Sequence, residues 1–405
     1  MSWESISLSD ALRPLKSSPF TRDELNYSGG QYQNVHYGDI LVRFPSVVDA
    51  EKEGLPYVSD SAEGRCSRCS LLQNGDIIIA DTAEDEAVGK AIEIQGITDQ
   101  KVVSGLHTMA FRPQEGLFAP GFLGYFLNSS VYHNQLLPLM QGIKVLSISK
   151  TAIGDTVIKY PSYKEQEKIV ESLSGVDDMI GALDEAITKK RQIKEGLMQQ
   201  LLTGKTRLPG FNEEWRICKL KDIAEMFSGG TPSSKEPRYY GGDIQFLSIS
   251  DMTSSGKYIY TTEKTITKMG LENSSARVFP AGTLMYAMYA SLGKCSISQI
   301  ETAISQAILG FILSDEIDKM YLYYHFCFIE EQVKNMGQTG TQSNLSKALV
   351  EQFTIPVPIL SEQKAIADTL STIDEDIYEI ELKREKYLSI KQGMMQELLT
   401  GKTRL

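Results

Sequence analysis

The octapeptide LLTGKTRL occurs twice, at Leu201–Leu208 and at Leu398–Leu405. Shifting the chain by 197 residues, from Leu201 to Leu398, extends this coincidence without a gap. KEQEKIVESLSGVDDMIGALDEAITKKRQIKEGLMQQLLTGKTRL from Lys164 then faces SEQKAIADTLSTIDEDIYEIELKREKYLSIKQGMMQELLTGKTRL from Ser361. Upstream, Ser149 and Lys150 face Ser346 and Lys347, Ile158 faces Ile355, and Pro161 faces Pro358. A weaker echo joins WESISLSD at Trp3 to WRICKLKD at Trp215. Gly75 and Gly282 each open an apolar run that leads to a Gly-Lys pair, Gly89-Lys90 and Gly293-Lys294. The period is far longer than that of a solenoid. It reads as the duplication of a two-part unit, and 405 residues exceed one average domain. The expected organisation is a globular region over 1–160, a helical segment over 161–208, a second globular region over 209–357 and a second helical segment over 358–405.

Each repeat segment has the apolar spacing of a coiled-coil helix. Ile169, Leu173, Val176, Ile180, Leu183 and Ile187 alternate steps of four and three. Ile366, Leu370, Ile373, Ile377 and Ile380 hold the matching sites. The seam turns polar at Lys190 and Arg384, then resumes at Ile193 and Leu197, and at Ile390 and Met394. Pro161 and Pro358 stand just ahead, where proline is tolerated. Each helix should run for about 40 residues and span on the order of 60 Å. Its first half is acidic (Asp177, Asp178, Asp184, Glu185; Asp374, Glu375, Asp376, Glu379, Glu381). Its second half is basic (Lys189, Lys190, Arg191, Lys194; Lys383, Arg384, Lys386, Lys391). That order suits each helix dipole. Parallel packing sets acid against acid and antiparallel packing sets acid against base, so the antiparallel pair is expected.

The two globular regions are rich in Gly, Ser, Thr and Tyr. Short runs such as Asp76–Ala80 and Gly282–Ala290 read as strands, and Gly121–Leu137 and Met320–Met336 as helices. The fold class expected is therefore α+β: two globular domains separated by two long helices in an antiparallel coiled coil, with a pseudo-two-fold internal repeat. Met1–Asp10 lacks the basic start and apolar run of a signal peptide, and no segment reaches the roughly 18 apolar residues of a membrane span, so a cytoplasmic setting is expected.

A search for catalytic chemistry returns little. The Gly-Lys-Thr of the octapeptide resembles the end of a phosphate loop, but Gln199 and Gln396 stand where its upstream glycine belongs. It also follows a helix, where exposed carbonyls repel phosphate, and Gly204 and Gly401 sit where a left-handed helix stop wants glycine. Cys66 and Cys69 form a lone C-x-x-C, a weak zinc signal. The four histidines (His36, His107, His133, His325) show no metal spacing. Glu362-Gln363-Lys364 has a nuclease-like Glu-x-Lys, but it lacks the upstream Pro-Asp and lies on the repeated helix. No Asn-Pro-Pro-Tyr or Asp-Pro-Pro-Tyr and no G-x-G-x-x-G is present. A net charge of −11 argues against a wholly basic nucleic-acid binder but leaves room for local basic grooves.

What remains are polar loops: SGGTPSSK at Ser228–Lys235, GQTGTQSNLSK at Gly337–Lys347 and QGIKVLSISK at Gln141–Lys150. Glycine permits close backbone approach, and hydroxyls, amides and lysine suit phosphate oxygens. Together with the repeated helix, SGGTPS at Ser228, YYGGDIQFLSISDM at Tyr239, GTQSNLSK at Gly340 and the Glu-Gln pairs at Glu165 and Glu362, the chain resembles the specificity subunit of type I restriction-modification systems. The first globular region departs more, lacking GGTPS and carrying the acidic DTAEDEAVGK at Asp81–Lys90.

The resemblance implies two target recognition domains that read a bipartite double-stranded DNA site, with the helices as spacer. It implies two methyltransferase subunits docked on the helices, which bring S-adenosylmethionine, and a restriction and translocation subunit that brings ATP. This chain itself would hold no cofactor or metal and perform no catalysis. By the same resemblance, Thr231, Ser233, Ser234, Lys294, Gln338, Thr341, Gln342, Ser343 and Lys347 are expected to face DNA in the second domain. In the first, Lys90, Lys144, Ser147, Ser149 and Lys150 are expected to do so. The alternatives are a coiled-coil scaffold joining two ligand- or protein-binding domains without DNA specificity, and a nuclease with an unrecognised site.

Overall fold

A computed structural model describes residues 3–339 and 344–405, with the side chains of 337–339 set aside. The chain divides into two compact units, residues 1–184 with 383–405, and residues 185–382. Two 39-residue helices, Tyr163–Leu201 and Leu360–Leu398, each contribute one half to each unit. No described helix is long and apolar enough to cross a membrane.

The first unit is built on a five-stranded sheet in the order Leu12–Pro14, Thr108–Pro113, Ile77–Ala80, Ala91–Gln95, Val47–Asp49. The second has the same order: Ala224–Ser228, Ile308–Leu313, Leu284–Ala287, Cys295–Ser298, Tyr258–Ile259. In both, the central pairs are antiparallel and the last pair is parallel. The mixture of sheets and helices is the expected α+β class. The strand read over Gly282–Ala290 stops at Ala287, because the backbone turns and Ala290 takes a φ of 57°. The helix read over Gly121–Leu137 is two helices, Phe122–Phe126 and Ser130–Leu136. Asn128 breaks it by giving its amide to the carbonyls of Ala91 and Gly124, and Ser129 caps the second piece. The counterpart, Lys319–Thr339, is a single helix.

The long helices pair antiparallel within each unit. In the first, Asp177 meets Lys391 at 2.6 Å and Asp184 meets Arg384 at 2.5 Å, so one number rises by seven as the other falls by seven. In the second, Lys190 meets Asp376 at 2.5 Å, Arg191 meets Glu381 at 2.6 Å and Lys194 meets Asp374 at 2.5 Å. Acid faces base, as the charge order requires. Ile169, Leu173, Leu183, Ile187, Ile366, Leu370 and Ile377 are buried. Ile193 and Ile390 are not: they remain 44% and 39% exposed, which corrects the expectation that the apolar seam resumes there. Beyond the polar crossing, the inner face of each helix end packs against a globular domain as well as against the start of the other helix. Met198, Leu201 and Leu202 enter the core of the second unit with Leu370, Tyr321 and Phe326. Leu398 and Leu399 enter that of the first with Leu173, Phe122 and Phe126.

The octapeptide is a clasp as well as a stop. Gly204 and Gly401 take φ values of 68° and 72°, and a side chain on either would press on Trp215 or Trp3. Arg207 holds both oxygens of Glu362, at 2.6 and 2.7 Å, and Trp215 Nε1 donates to the same carboxylate at 3.0 Å. In the first unit Arg404 holds Glu165 in the same bidentate way. The neighbouring glutamines complete the joint. Gln166 Nε2 donates to the Pro161 and Leu117 carbonyls while its oxygen accepts from Ala119 N–H. Gln363 repeats this with Pro358, Glu316 and Asp318. Each Glu-Gln pair is thus consumed in seating a domain on a helix start.

A further repeated contact was not apparent in the sequence. Tyr125 Oη donates to Asp177, which also pairs with Lys391, whose ammonium lies over the tyrosine ring. Tyr324, Asp374 and Lys194 form the same arrangement in the second unit, where Lys257 joins it at 3.1 Å. Burial raises the Asp374 carboxyl, but Lys194, Tyr324 and Lys257 outweigh it and hold it below the ordinary value. Asp177 and Asp374, like Lys194 and Lys391, stand 197 residues apart, so the sequence offset contained the signal.

His325 lies on the same helix as Tyr324, is 4% exposed, and its Nδ1 has no hydrogen-bond partner among the described residues. Burial pushes its pKa down to about 4, from 6.5 when exposed. A histidine held neutral in the fold stabilises fully above its unfolded pKa, and the contribution is lost as pH falls from 6.5 towards 4. Urea unfolding should show a loss of about 2 kcal/mol between about pH 7 and about pH 5. His325→Phe should remove most of that slope.

Candidate nucleic-acid interface

In each unit, several loops meet at one end of the five-stranded sheet, joined by the same backbone bonds. In the second unit Met288 N–H donates to Ala307 O at 2.8 Å, Leu345 N–H to Met288 O at 2.9 Å and Gly293 N–H to Ala287 O at 3.1 Å. In the first, Asp81 N–H donates to His107 O at 3.1 Å, Ile148 N–H to Asp81 O at 2.9 Å and Gly89 N–H to Ala80 O at 2.8 Å. One backbone frame is therefore dressed with two sets of side chains.

The Gly-Gly-Thr-Pro loop of the second unit joins this end through its glycines. A Cβ on Gly229 would lie 1.8 Å from Ile304 O, and one on Gly230 would lie 2.2 Å from Ser275 Oγ and 2.7 Å from Ala276 N. Only glycine lets the chain lie this close to both neighbours. Gly230 N–H donates to Ile304 O, and Tyr240 Oη to Pro232 O, so the loop is anchored on either side of Thr231.

Thr231, Ser233 and Ser234 are exposed on this loop, and Ser233 Oγ accepts from Lys235 N–H at 3.4 Å. Lys294 is half-buried and reaches the Thr253 carbonyl at 3.4 Å. Lys347 lies over the Phe227 ring, 5.6 Å from its centroid, and pairs with Glu351 at 3.5 Å. These five come together at the loop end. The Gln338 side chain and Thr341, Gln342 and Ser343 fall outside the described residues.

In the first unit Lys144 and Ser147 are exposed, on a turn closed by reciprocal backbone bonds between Gln141 and Ser147. Ser149 Oγ accepts from Ala152 N–H, which caps the short helix Lys150–Gly154. Ser346 does the same for Lys347–Val350. Lys150 lies over Phe111, and burial lowers its pKa. Lys90 is half-buried with its ammonium on the Leu41 carbonyl, and burial, then Lys391, lowers its pKa. Glu84, Asp85 and Glu86 are exposed where the second unit has the Tyr289–Ser291 turn. Asp81 Oδ1 accepts from Thr82 Oγ1 at 2.8 Å and lies 3.2 Å from His107 Nδ1, and His107 sits edge-on to Tyr37. Two residues absent from the sequence reading also belong to the second unit's loop end: Arg277, exposed, and Phe227, whose ring it covers. Nothing in a lone Arg-Val-Phe run signals that pairing.

Among the described residues no group of three or more His, Cys, Asp or Glu is placed to hold a metal. Cys66 is buried, and burial pushes its thiol up to about 11.

The family described as type I restriction modification DNA specificity domain matches residues 212–391. Over the whole chain, a putative type I restriction enzyme MjaX specificity subunit of Methanocaldococcus jannaschii is 24% identical, and the match takes in 100% of this chain and 94% of that one. Residues 212–391 thus match the type I specificity-domain family, and the chain as a whole is similar to its specificity subunits. The type I restriction enzyme MjaIX specificity subunit of the same organism is 32% identical over 44% of this chain and 41% of its own length. In fold, the chain resembles a chain from a solved type I R-M system, with a TM-score of 0.61, 18% identity, and coverage of 98% of this chain and 97% of that one. It also resembles the S subunit from M. genitalium, with a TM-score of 0.59, 13% identity, and coverage of 98% and 96%.

Proposed function

We propose that this chain carries the DNA address of a type I restriction-modification complex. Each globular domain reads one half of a bipartite duplex site with its loop end, and the paired helices set the distance between the halves. The observation that carries this reading is one loop-end backbone, closed by the same three hydrogen bonds in both units, bearing different side chains. That is the design expected of two readers of different half-sites. Thr231, Ser233, Ser234, Lys294 and Lys347, with Gln338, Thr341, Gln342 and Ser343, serve the second half-site. Lys90, Lys144, Ser147, Ser149 and Lys150 serve the first. Exposed carboxylates at Glu84–Glu86 repel phosphate but can accept from cytosine amino groups, so the first domain relies more on base edges.

Methyltransferase subunits, two in number, dock on the helices. Each helix pair leaves apolar side chains exposed for this, Met179 and Ile390 in the first unit and Ile193, Tyr378 and Leu382 in the second. The partners bring S-adenosylmethionine and, in the restriction subunit, ATP, and this chain performs no catalytic step. With a charge of −11, it relies on those partners for part of the grip on the DNA backbone. Co-expression with its partner type I methyltransferase, followed by sequencing of methylated bases, should reveal a new adenine motif of two short halves with an unread gap. A scaffold without DNA specificity yields no new motif.

A further inference from the structure

The Arg277 guanidinium carbon lies 4.1 Å from the centroid of Phe227, the last residue but one of the strand that leads into the Gly-Gly-Thr-Pro loop. The residue is exposed, and among the described residues no carboxylate pairs with it. Gly230 packs on Ser275 and Ala276, so Arg277 follows directly the segment against which the loop rests. Lys347 covers the same ring and is tied to Glu351.

The first unit offers an internal control. Its edge strand places Pro14 opposite Phe111, as the second places Met226 opposite Phe311. Leu15 therefore stands where Phe227 does, and its N–H donates to Ala110 O as the strand continues. Ser70, five residues before Gly75, stands where Arg277 precedes Gly282 by five. Ser70 Oγ accepts from Lys16 N–H at 3.1 Å, and Ser70 N–H donates to Lys16 O. The backbone position is retained, while the aromatic and the arginine are present in one domain only.

We infer that Arg277, held over Phe227, reads a guanine in the half-site of the second domain; this rests on the DNA-reading function proposed above. Stacking fixes the plane of the guanidinium and leaves its edge as a rigid fork of donors. Guanine O6 and N7 match such a fork in the major groove. Phosphate contacts are left to Lys347 and to the hydroxyls of Thr231, Ser233 and Ser234, whose geometry is less constrained.

The test uses the complex of the full chain with its methyltransferase. The methylated motif is determined for the wild type, Arg277→Ala and Arg277→Lys. The wild-type second half should contain a guanine whose requirement relaxes roughly five- to hundredfold in both variants, while the first half is unchanged. In binding assays with purified complex, 7-deazaguanine at that position, which lacks the N7 acceptor, should weaken the wild type and leave Arg277→Ala indifferent. A second half-site without guanine overturns the inference. So does a motif unchanged in both variants, or uniform weakening at all positions, which marks a phosphate contact. If the wild type yields no bipartite motif, the functional reading itself falls. If it does and Arg277 has no effect on it, only this assignment falls.

Discussion

Arg207→Ala is expected to destabilise the second unit, because it strands a carboxylate that the fold has taken out of water. Glu362 is 0% exposed, and its carboxylate is satisfied by two guanidinium donors and the Trp215 indole. Removing Arg207 leaves a buried anion with one N–H donor. Arg207→Lys should recover only part of the loss, because an ammonium cannot supply the two parallel bonds. Replacing both partners with methionine should cost less than Arg207→Ala alone, since no charge is then left buried. Arg404→Ala should act in the same direction on the first unit, with a smaller effect, because the Glu165 side chain retains 8% exposure. Urea unfolding of the four variants measures all of this. No measurable loss for Arg207→Ala would mean that water screens the clasp as it does a surface pair.

The clasp shows how much of this molecule was legible in its sequence. Periodicity revealed the helices and charge order gave their antiparallel pairing, because both are properties of one element or of two elements in contact along their length. The missing upstream glycine and the position after a helix dismissed the phosphate-loop reading of LLTGKTRL. The partners of Arg207 and Arg404 were not legible, because Glu362 and Glu165 lie far along the chain and their meeting depends on the finished fold. Ile193 and Ile390 fit the heptad but are exposed, because a globular domain takes over one face of each helix end. At the loop ends, residue type suggested phosphate- and base-binding chemistry at Thr231, Ser233, Ser234 and Lys347. The stack of Arg277 on Phe227 was invisible, since it joins a strand end to a loop about fifty residues away.

The second large effect concerns specificity. Residues 209–357 meet the helices through a shared apolar core and through polar contacts of Trp215 with Glu362, the Asp318 N–H with Gln363, and Tyr324 with Asp374 and Lys194. A donor domain from another family member that keeps an equivalent tryptophan and tyrosine and a matching apolar face should therefore seat on the same helix ends. The helices would be untouched, and with them the spacing between half-sites and the docking of the methyltransferase. Each base contact is worth about 1–3 kcal/mol of discrimination, so exchanging a whole loop end should replace a half-site outright.

The most direct test of the account is to express this exchanged chain with the methyltransferase and sequence the methylated bases. The account predicts a bipartite motif in which the half read by residues 1–160 and the length of the gap are retained, while the other half becomes that of the donor. A change in both halves, or the original motif unaltered, would contradict it.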